Sequence, residues 1–254
     1  MSFSSEERER YARHILLKEI GGPGQQKLKA ATAALVGVGG LGAPAALYLA
    51  AAGIGALRLI DDDAVALSNL QRQIIYRTAD AGASKVERAA HALAAVNPNV
   101  AIETHNVRLT DANAEALLGG AGIVLDGTDD FATRFVVNAA CRKLGVPLIS
   151  GAVGRWDGQL ATFKANGPCY RCLVPAQPPG AETCARDGVV GALTGVIGAM
   201  MALEAIKEIA GAGESLAGRL LVYDSLSAAM RVVALPRDPA CPVCGRGQGN
   251  PAQT

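Results

Sequence analysis

Apolar positions in the first part of the chain fall in short unbroken runs, each followed by a stretch of helical periodicity. Ala33 to Val38 is such a run. It ends in glycines and reads as a buried strand, and Leu41 to Ala52 follows as a helix with Pro44 tolerated in its first turn. Ala56 to Ile60 is a second strand, closed by Asp61-Asp62-Asp63. Ala101 to His105, Ile123 to Asp126 and Pro147 to Ser150 read as the third, fourth and fifth strands. One intervening helix starts at Ser84-Lys85-Val86-Glu87, which has the form of a capping box, and runs to about Val96, where Asn97-Pro98 breaks it. Another spans about Phe131 to Leu144. Upstream, Ser4 with Glu7 is a further capping box that opens a first helix running to about Ile20, ended by Gly21-Gly22-Pro23-Gly24. Strands alternating with helices predict a parallel sheet with right-handed crossovers.

The pattern changes after Gly151. Gln159 to Phe163 reads as a strand of a different kind, followed by a loop carrying Cys169 and Cys172. An apolar helix from about Val189 to Ile209 comes next, then two short strands, Arg219 to Tyr223 and Arg231 to Ala234. Gly191, Gly195 and Gly198 let that helix pack closely, against the core or against a second copy. The expected fold class is therefore α/β: a Rossmann-like, mostly parallel sheet with a C-terminal extension. Residues 1–245 form one expected unit, with a nucleotide-binding half at about 30–150 and a second half at about 151–245; the polar, glycine-rich tail 246–254 is expected to be disordered.

A composition of 50% apolar residues over 254 positions is ample for a substantial core, and with aromatics at 4% that core must be built from Ala, Val, Leu and Ile. The net charge of +1, with no long run of like charge, argues against a nucleic-acid partner held by bulk electrostatics. No membrane span is expected. Ala30 to Leu57 is uncharged but interrupted by glycines and Pro44, and Val189 to Leu203 falls short of the ~18 apolar residues a span needs. The N-terminus lacks a basic region followed by an apolar stretch, so a cytoplasmic location with six reduced cysteines is expected.

Gly37-Val38-Gly39-Gly40-Leu41-Gly42 lies between a predicted strand and a predicted helix. There, glycines let backbone N–H groups approach a phosphate, and the helix N-terminus adds partial positive charge. Asp61, at the end of the next strand, is placed to accept hydrogen bonds from ribose hydroxyls. These features indicate an adenosine nucleotide without separating NAD from ATP. Arg72 and Lys85 favour ATP, because both fall where the chain leaves the carboxyl edge of the sheet and a triphosphate needs cations that hydride transfer does not. Taken singly, either reads as solvated surface charge. In Asp126-Gly127-Thr128-Asp129-Asp130, Asp130 suits the N-cap of the following helix and Asp129 is a candidate Mg²⁺ ligand.

Two pairs, Cys169-Tyr-Arg-Cys172 and Cys241-Pro-Val-Cys244, have the spacing of a closed tetrahedral Zn²⁺ site, structural because four protein ligands leave no open position. Cys141 reads as a small buried hydrophobe, and His14, His91 and His105 as incidental.

Arg10-Tyr-Ala-Arg13, the glycine loop, Ser68-Asn-Leu-Gln-Arg72-Gln73, Lys85-Val-Glu, Asp126-x-Thr-Asp129 and the two cysteine pairs follow one another in an order that resembles the ThiF/MoeB/HesA family, bacterial relatives of the ubiquitin-activating enzymes, over about residues 6–245. The likeness is nearest to the molybdopterin-synthase adenylyltransferases, with the thiamine-pathway members next. The resemblance implies ATP-dependent adenylation of the C-terminal glycine carboxylate of a ubiquitin-like sulfur carrier ending in Gly-Gly. That carrier is a MoaD-type protein of molybdenum cofactor biosynthesis or a ThiS-type protein of thiamine biosynthesis. By the same resemblance, Gly40 and its loop face the phosphates, and the segment Ser68, Asn69, Leu70, Gln71, Arg72 lies at the nucleotide with Lys85. Asp61 binds ribose, Asp129 is the magnesium-associated acid, and Arg13 reaches across a homodimer into the partner's site. Cys184 falls where some relatives carry a reactive thiol; it is that, or a bystander to adenylation. Two positions depart from the pattern: His14 where Gln is expected, and Asp130 where Asn is usual, an extra negative charge beside Asp129. The short chain after Cys244 leaves no room for a fused sulfurtransferase, so a separate one is expected. Two other readings are an NAD-dependent oxidoreductase and a zinc-stapled binding module without catalysis. Arg72, Lys85 and the paired cysteines speak against the first; Arg13, Arg72, Lys85 and Asp129 together speak against the second.

Overall fold

The computed structural model describes residues 3–178 and 188–245, so Cys184 and the tail 246–254 lie outside the described residues. β1 (Thr32–Val36) shows why the early strands are unbroken apolar runs: Ala33 and Leu35 are buried in one hydrophobic cluster, Ala34 and Val36 in another, on opposite faces of the sheet. β1 pairs in parallel with β2 (Ala56–Ile60) on one side and with β4 (Ile123–Asp126) on the other. β3 (Ala101–His105) extends the sheet beyond β2, and β5 (Leu148–Val153) beyond β4, both in parallel. From β5 the sheet continues antiparallel through β6 (Asp157–Phe163), β7 (Arg219–Asp224) and β8 (Ala229–Ala234). The order is β3-β2-β1-β4-β5-β6-β7-β8 in a single sheet. The expected Rossmann-like, mostly parallel class is thus observed, and the change of pattern after Gly151 is the switch to antiparallel pairing.

Helices cover both faces. α4 (Gly42–Ala51), α5 (Lys85–Val96) and α9 (Gly191–Ala210) pack on one; α6 (Ala114–Leu118) and α7 (Phe131–Leu144) pack on the other, with α8 (Tyr170–Leu173) contributing Tyr170. α9 is a core helix on the side of Leu193, Ile197, Met201 and Ala205, while Val196 and Leu203 are exposed. Its close approach depends on Gly198: a Cβ there would be driven into the carbonyl of Leu41 and the ring of Pro44 at the start of α4. No helix among the described residues is long and apolar enough to cross a membrane.

Three local expectations need correction. The Ser4 capping box forms, with Glu7 N–H on Ser4 Oγ at 3.0 Å and Ser4 N–H on Glu7 Oε2 at 2.8 Å. The helix it opens, α1 (Ser5–Arg10), nevertheless stops far short of Ile20. Tyr11 leaves helical geometry and turns its ring inward, where its hydroxyl accepts from Asn97 Nδ2 at 2.9 Å; a one-turn α2 (Ala12–Ile15) follows. Gly21-Gly22-Pro23-Gly24 opens α3 (Gly21–Ala30) rather than ending a helix, because Pro23 falls in the first turn, where an N–H has no helical acceptor. At Ser84 no capping box forms. Its hydroxyl is buried without a bond, and the N–H of Lys85 donates instead to the carbonyl of Asp63 at 3.0 Å.

Candidate functional site

The carboxyl ends of β2, β1 and β4 lie side by side, and the strand order changes direction between β1 and β4. That is the switch point where an open α/β sheet leaves a crevice. Three loops meet there. The first is the glycine loop after β1. Its N-terminal end is fixed by Gly37 N–H on the carbonyl of Ile60 (2.9 Å) and by Tyr76 Oη donating to the carbonyl of Val38 (2.7 Å). Gly42 must be glycine, because a Cβ would collide with the carbonyl of Gly37 as α4 begins.

The second loop carries Asp61, Asp62 and Asp63. Asp61 is tied to the glycine loop: its Oδ2 accepts from Val38 N–H at 2.7 Å and its Oδ1 from Asp63 N–H at 2.9 Å. Burial pushes its carboxyl above the ordinary aspartate value, against the pull of Lys85 and the two N–H groups. Lys85, at the start of α5, is held to Asp63 twice, through its backbone N–H and through Nζ on Oδ2 at 2.6 Å. The third loop, after β4, presents Asp126 to Asp130. Asp126 Oδ1 accepts from the N–H and the hydroxyl of Thr128, at 3.0 and 2.7 Å. Asp130 caps α7, accepting from Thr133 N–H at 2.9 Å, and pairs with Arg108 at 3.1 Å. Burial would raise the Asp130 carboxyl, but its bonds from Thr133 and from the Ala132 N–H, with Arg108 beside it, hold it below the usual value.

These loops enclose a cavity of about 430 Å³, inside the range of small-ligand pockets (~300–1,000 Å³). Of the residues singled out from sequence, Gly37, Gly39, Gly40, Asp61 and Asn69 line it, as do Arg72, Lys85, Asp129 and Asp130. Gly42, Ser68, Leu70, Gln71 and Arg13 do not line it. Gly42 supports the loop from behind, and the carbonyl of Gln71 packs against Gly191 of α9. Ser68 offers its carbonyl to Arg72 Nη1 at 3.1 Å. Arg13 is exposed on α2, apart from the cavity of its own chain. His14 Nδ1 lies 3.2 Å from Gln25 Oε1, away from the site.

Sequence reasoning missed Arg108 and Arg134, both of which line the cavity. Arg108 left no signal, since its partner is across a loop. Arg134 left one: with Asn138 it makes a polar pair one turn apart on a face of α7 that is otherwise buried and apolar at Val137 and Cys141. Counting charges then changes the picture. Among the described residues, Asp61, Asp62, Asp63, Asp129 and Asp130 face Arg72, Lys85, Arg108 and Arg134. Within that set acids exceed bases by one, so an anionic ligand would gain from further positive charge.

The cysteines form a second centre. Cys169 Sγ is 3.6 Å from Cys241 Sγ and Cys172 Sγ is 3.3 Å from Cys244 Sγ, with all four sulfurs within 4.8 Å of one another. A tetrahedron of ~2.3 Å Zn–S bonds has edges of about 3.8 Å, so the donor set fits Zn²⁺. No cysteine among the described residues is in a disulfide. Burial and neighbouring thiols push Cys169 up; burial would also raise Cys241, but the N–H groups of Cys244 and Val243 together with the Cys169 and Cys244 thiols bring it down to about 7. The cluster joins α8 and its N-cap Cys169 to the chain after β8.

The chain is similar along its length to characterised proteins. It is 45% identical over 253 residues to the sulfur carrier protein adenylyltransferase of Thermus thermophilus, covering 96% of this chain and 93% of that one. It is 43% identical over 249 residues to the SAMP-activating enzyme E1 of Haloferax volcanii, covering 97% and 92%. Its fold matches the crystal structure of E. coli MccB with MccA-N7isoASN at a TM-score of 0.84 and 24% identity, over 96% of this chain and 76% of that one. The model of the ThiF family matches residues 11–243, so with the glycine loop, the acidic switch-point crevice and the four-cysteine cluster in place, the chain belongs to the ThiF family.

Proposed function

We propose that the protein is an adenylyltransferase: it uses ATP to adenylate the C-terminal carboxylate of a small ubiquitin-like sulfur-carrier protein and releases pyrophosphate. Family membership and the names of the Thermus and Haloferax relatives support this reading. The observation that carries it is the crevice, where Arg72 and Lys85 flank the glycine loop on one side and Asp129 stands opposite.

A carboxylate is already ionised near neutral pH and needs no general base. The obstacle is repulsion between that anion and the phosphates. A carboxylate oxygen attacks the α-phosphorus, and the bond to the bridging oxygen breaks. Pyrophosphate carries the electron pair away, leaving an acyl-adenylate. Catalysis is then positioning and charge neutralisation. Arg72 and Lys85 supply positive charge to the phosphates, the glycine-loop N–H groups cradle them, and Asp61 orients the ribose. The excess of acids is the reason to assign Asp129, with its neighbours, to a divalent cation, whose bound charge offsets the phosphate oxygens. A homodimer, in which Arg13 of the partner subunit completes the cationic set, is consistent with Arg13 being exposed and apart from its own cavity. In this reading residues of about 151–245 carry the Zn²⁺ cluster and receive the carrier.

The carrier is assigned as MoaD-type, the small subunit of molybdopterin synthase, on the nearest motif likeness; the ThiS-type carrier of thiamine biosynthesis is the alternative, and the name of the Haloferax relative adds a SAMP protein to the set to be tested. Pyrophosphate–ATP exchange measured with each carrier tests the assignment. Exchange is expected with a Gly-Gly-ended carrier and absent in Asp129→Ala, which keeps its fold. No exchange with any such carrier would leave only a zinc-stapled binding module.

A further inference from the structure

Arg134 is a buried cation that pairs with no carboxylate among the described residues. Its Nη2 donates to the carbonyls of Thr128 and Gly151, the latter at 2.8 Å, and its Nη1 to Ser150 Oγ at 3.3 Å. Burying a guanidinium against neutral acceptors is costly, so the placement calls for a reason. The three bonds join two corners of backbone, one after β4 and one within β5, at the floor of the nucleotide cavity. Thr128 is thereby fixed on three sides: its N–H and hydroxyl are held by Asp126 and its carbonyl by Arg134. The next residue is Asp129, which faces the cavity and makes no hydrogen bond or ion pair of its own among the described residues. A side chain without contacts takes its direction from the backbone that carries it.

The geometry points to Arg134 as a positioning residue for the adenylation site: by gripping the Thr128 carbonyl it aims Asp129 into the crevice. It also links that loop to the cysteine-bearing half. The guanidinium lies 5.8 Å from the ring centroid of Tyr170, the residue after Cys169, and Tyr170 N–H donates to Asn138 Oδ1 at 2.8 Å, one turn further along α7. This rests on the adenylyltransferase reading for its consequence, but its first readout is binding.

Arg134→Lys keeps a charge but cannot bridge both carbonyls. Thr128→Val loosens the same residue from the Asp126 side: it takes one of two donors from the buried Asp126 carboxylate and leaves Arg134 in place. Arg142→Lys is the matched control: on the same helix, Arg142 grips the carbonyls of Lys164 and Gly167, away from the cavity. In the zinc-loaded protein, Mn²⁺ binding with a non-hydrolysable ATP analogue is followed by electron paramagnetic resonance, beside KM and kcat for exchange. Arg134→Lys is expected to weaken Mn²⁺ binding about tenfold, as loss of an outer-shell support does. It should lower kcat on the order of 10²-fold through misplacement, with the KM for ATP little changed. Thr128→Val should weaken Mn²⁺ binding in the same direction and Arg142→Lys should not. Parental Mn²⁺ binding in folded Arg134→Lys, or an equal loss in Arg142→Lys, overturns the assignment. If Arg134→Lys does not fold, parental binding in Thr128→Val overturns it. A parent that never exchanges refutes the adenylyltransferase reading and leaves the Mn²⁺ comparison to decide the role of Arg134.

Discussion

Replacing Lys85 with Met separates charge from packing. Met keeps an unbranched apolar stem of similar reach and removes only the ammonium. The Lys85 side chain is 5% exposed, but its partner Asp63 is 65% exposed. Breaking the pair leaves the Asp63 carboxylate solvated, and the more buried Asp61, which also loses the pull of Lys85, keeps its bonds from the Val38 and Asp63 N–H groups, so stability should change by only about 1 kcal/mol. The effect on catalysis is different in scale. The cavity would hold the same aspartates against Arg72, Arg108 and Arg134 only. One unit charge lost ~4 Å from a phosphate oxygen, at an effective dielectric of ~20, removes ~4 kcal/mol of stabilisation. That corresponds to ~10³-fold in rate. Pyrophosphate–ATP exchange across ATP concentrations, with urea unfolding of the same preparations, reads both quantities. A folded Lys85→Met that exchanges within about threefold of the parent, a difference below ~1 kcal/mol, would refute the electrostatic account of this crevice.

Two other outcomes follow from the geometry. In Asp130→Asn the cap is preserved, since Asn is as good an N-cap as Asp. The parental carboxylate, held below its ordinary value, contributes stability that is complete above ~pH 4 and is lost as pH falls through the folded value. The acid limb of Tm against pH should therefore be flatter in Asp130→Asn, and identical limbs would remove the Arg108–Asp130 pair from the account. The parent should bind one Zn²⁺ per chain by elemental analysis. Cys241→Ser should lose it and about 3 kcal/mol or more of stability, a fall of roughly 6–12 °C in Tm; a variant that keeps both metal and Tm would contradict the four-thiolate site.

What could be read from sequence follows from how local each feature is. β2, β3 and α7 begin and end where their residue patterns place them, because Ala56–Ile60, Ala101–His105 and Phe131–Leu144 carry their own period and stop signals. The first helix stops short of its sequence pattern because Tyr11 is drawn inward by Asn97, 86 residues away. α6 was not anticipated because a helix of 5 residues has too few apolar positions to show a period. The same division holds at the site. The glycine loop, Asp61 and Asp129 were legible because they stand at strand ends, where the chain leaves the sheet. Arg108 was not, because it acts through Asp130, and the polar pair Arg134–Asn138 on α7 does not reveal that Arg134 grips carbonyls of the loop after β4 and of β5.

Those two arginines change how the crevice attracts its ligand. From sequence alone, Arg72 and Lys85 form a patch of free positive charge waiting for phosphate. In the folded chain Lys85 is already on Asp63, Arg108 on Asp130 and Arg134 on backbone carbonyls. The described residues of the crevice carry more acid than base, so they offer a bare polyanion little gain on entering. A nucleotide already carrying a divalent cation meets a different surface. Its phosphates would draw Lys85 from Asp63, leaving that exposed carboxylate to solvent, and the cation would be held by Asp129, which has no ion pair of its own among the described residues. On the adenylyltransferase reading, the aspartates of the described crevice would favour the metal-bound form of ATP over the bare nucleotide.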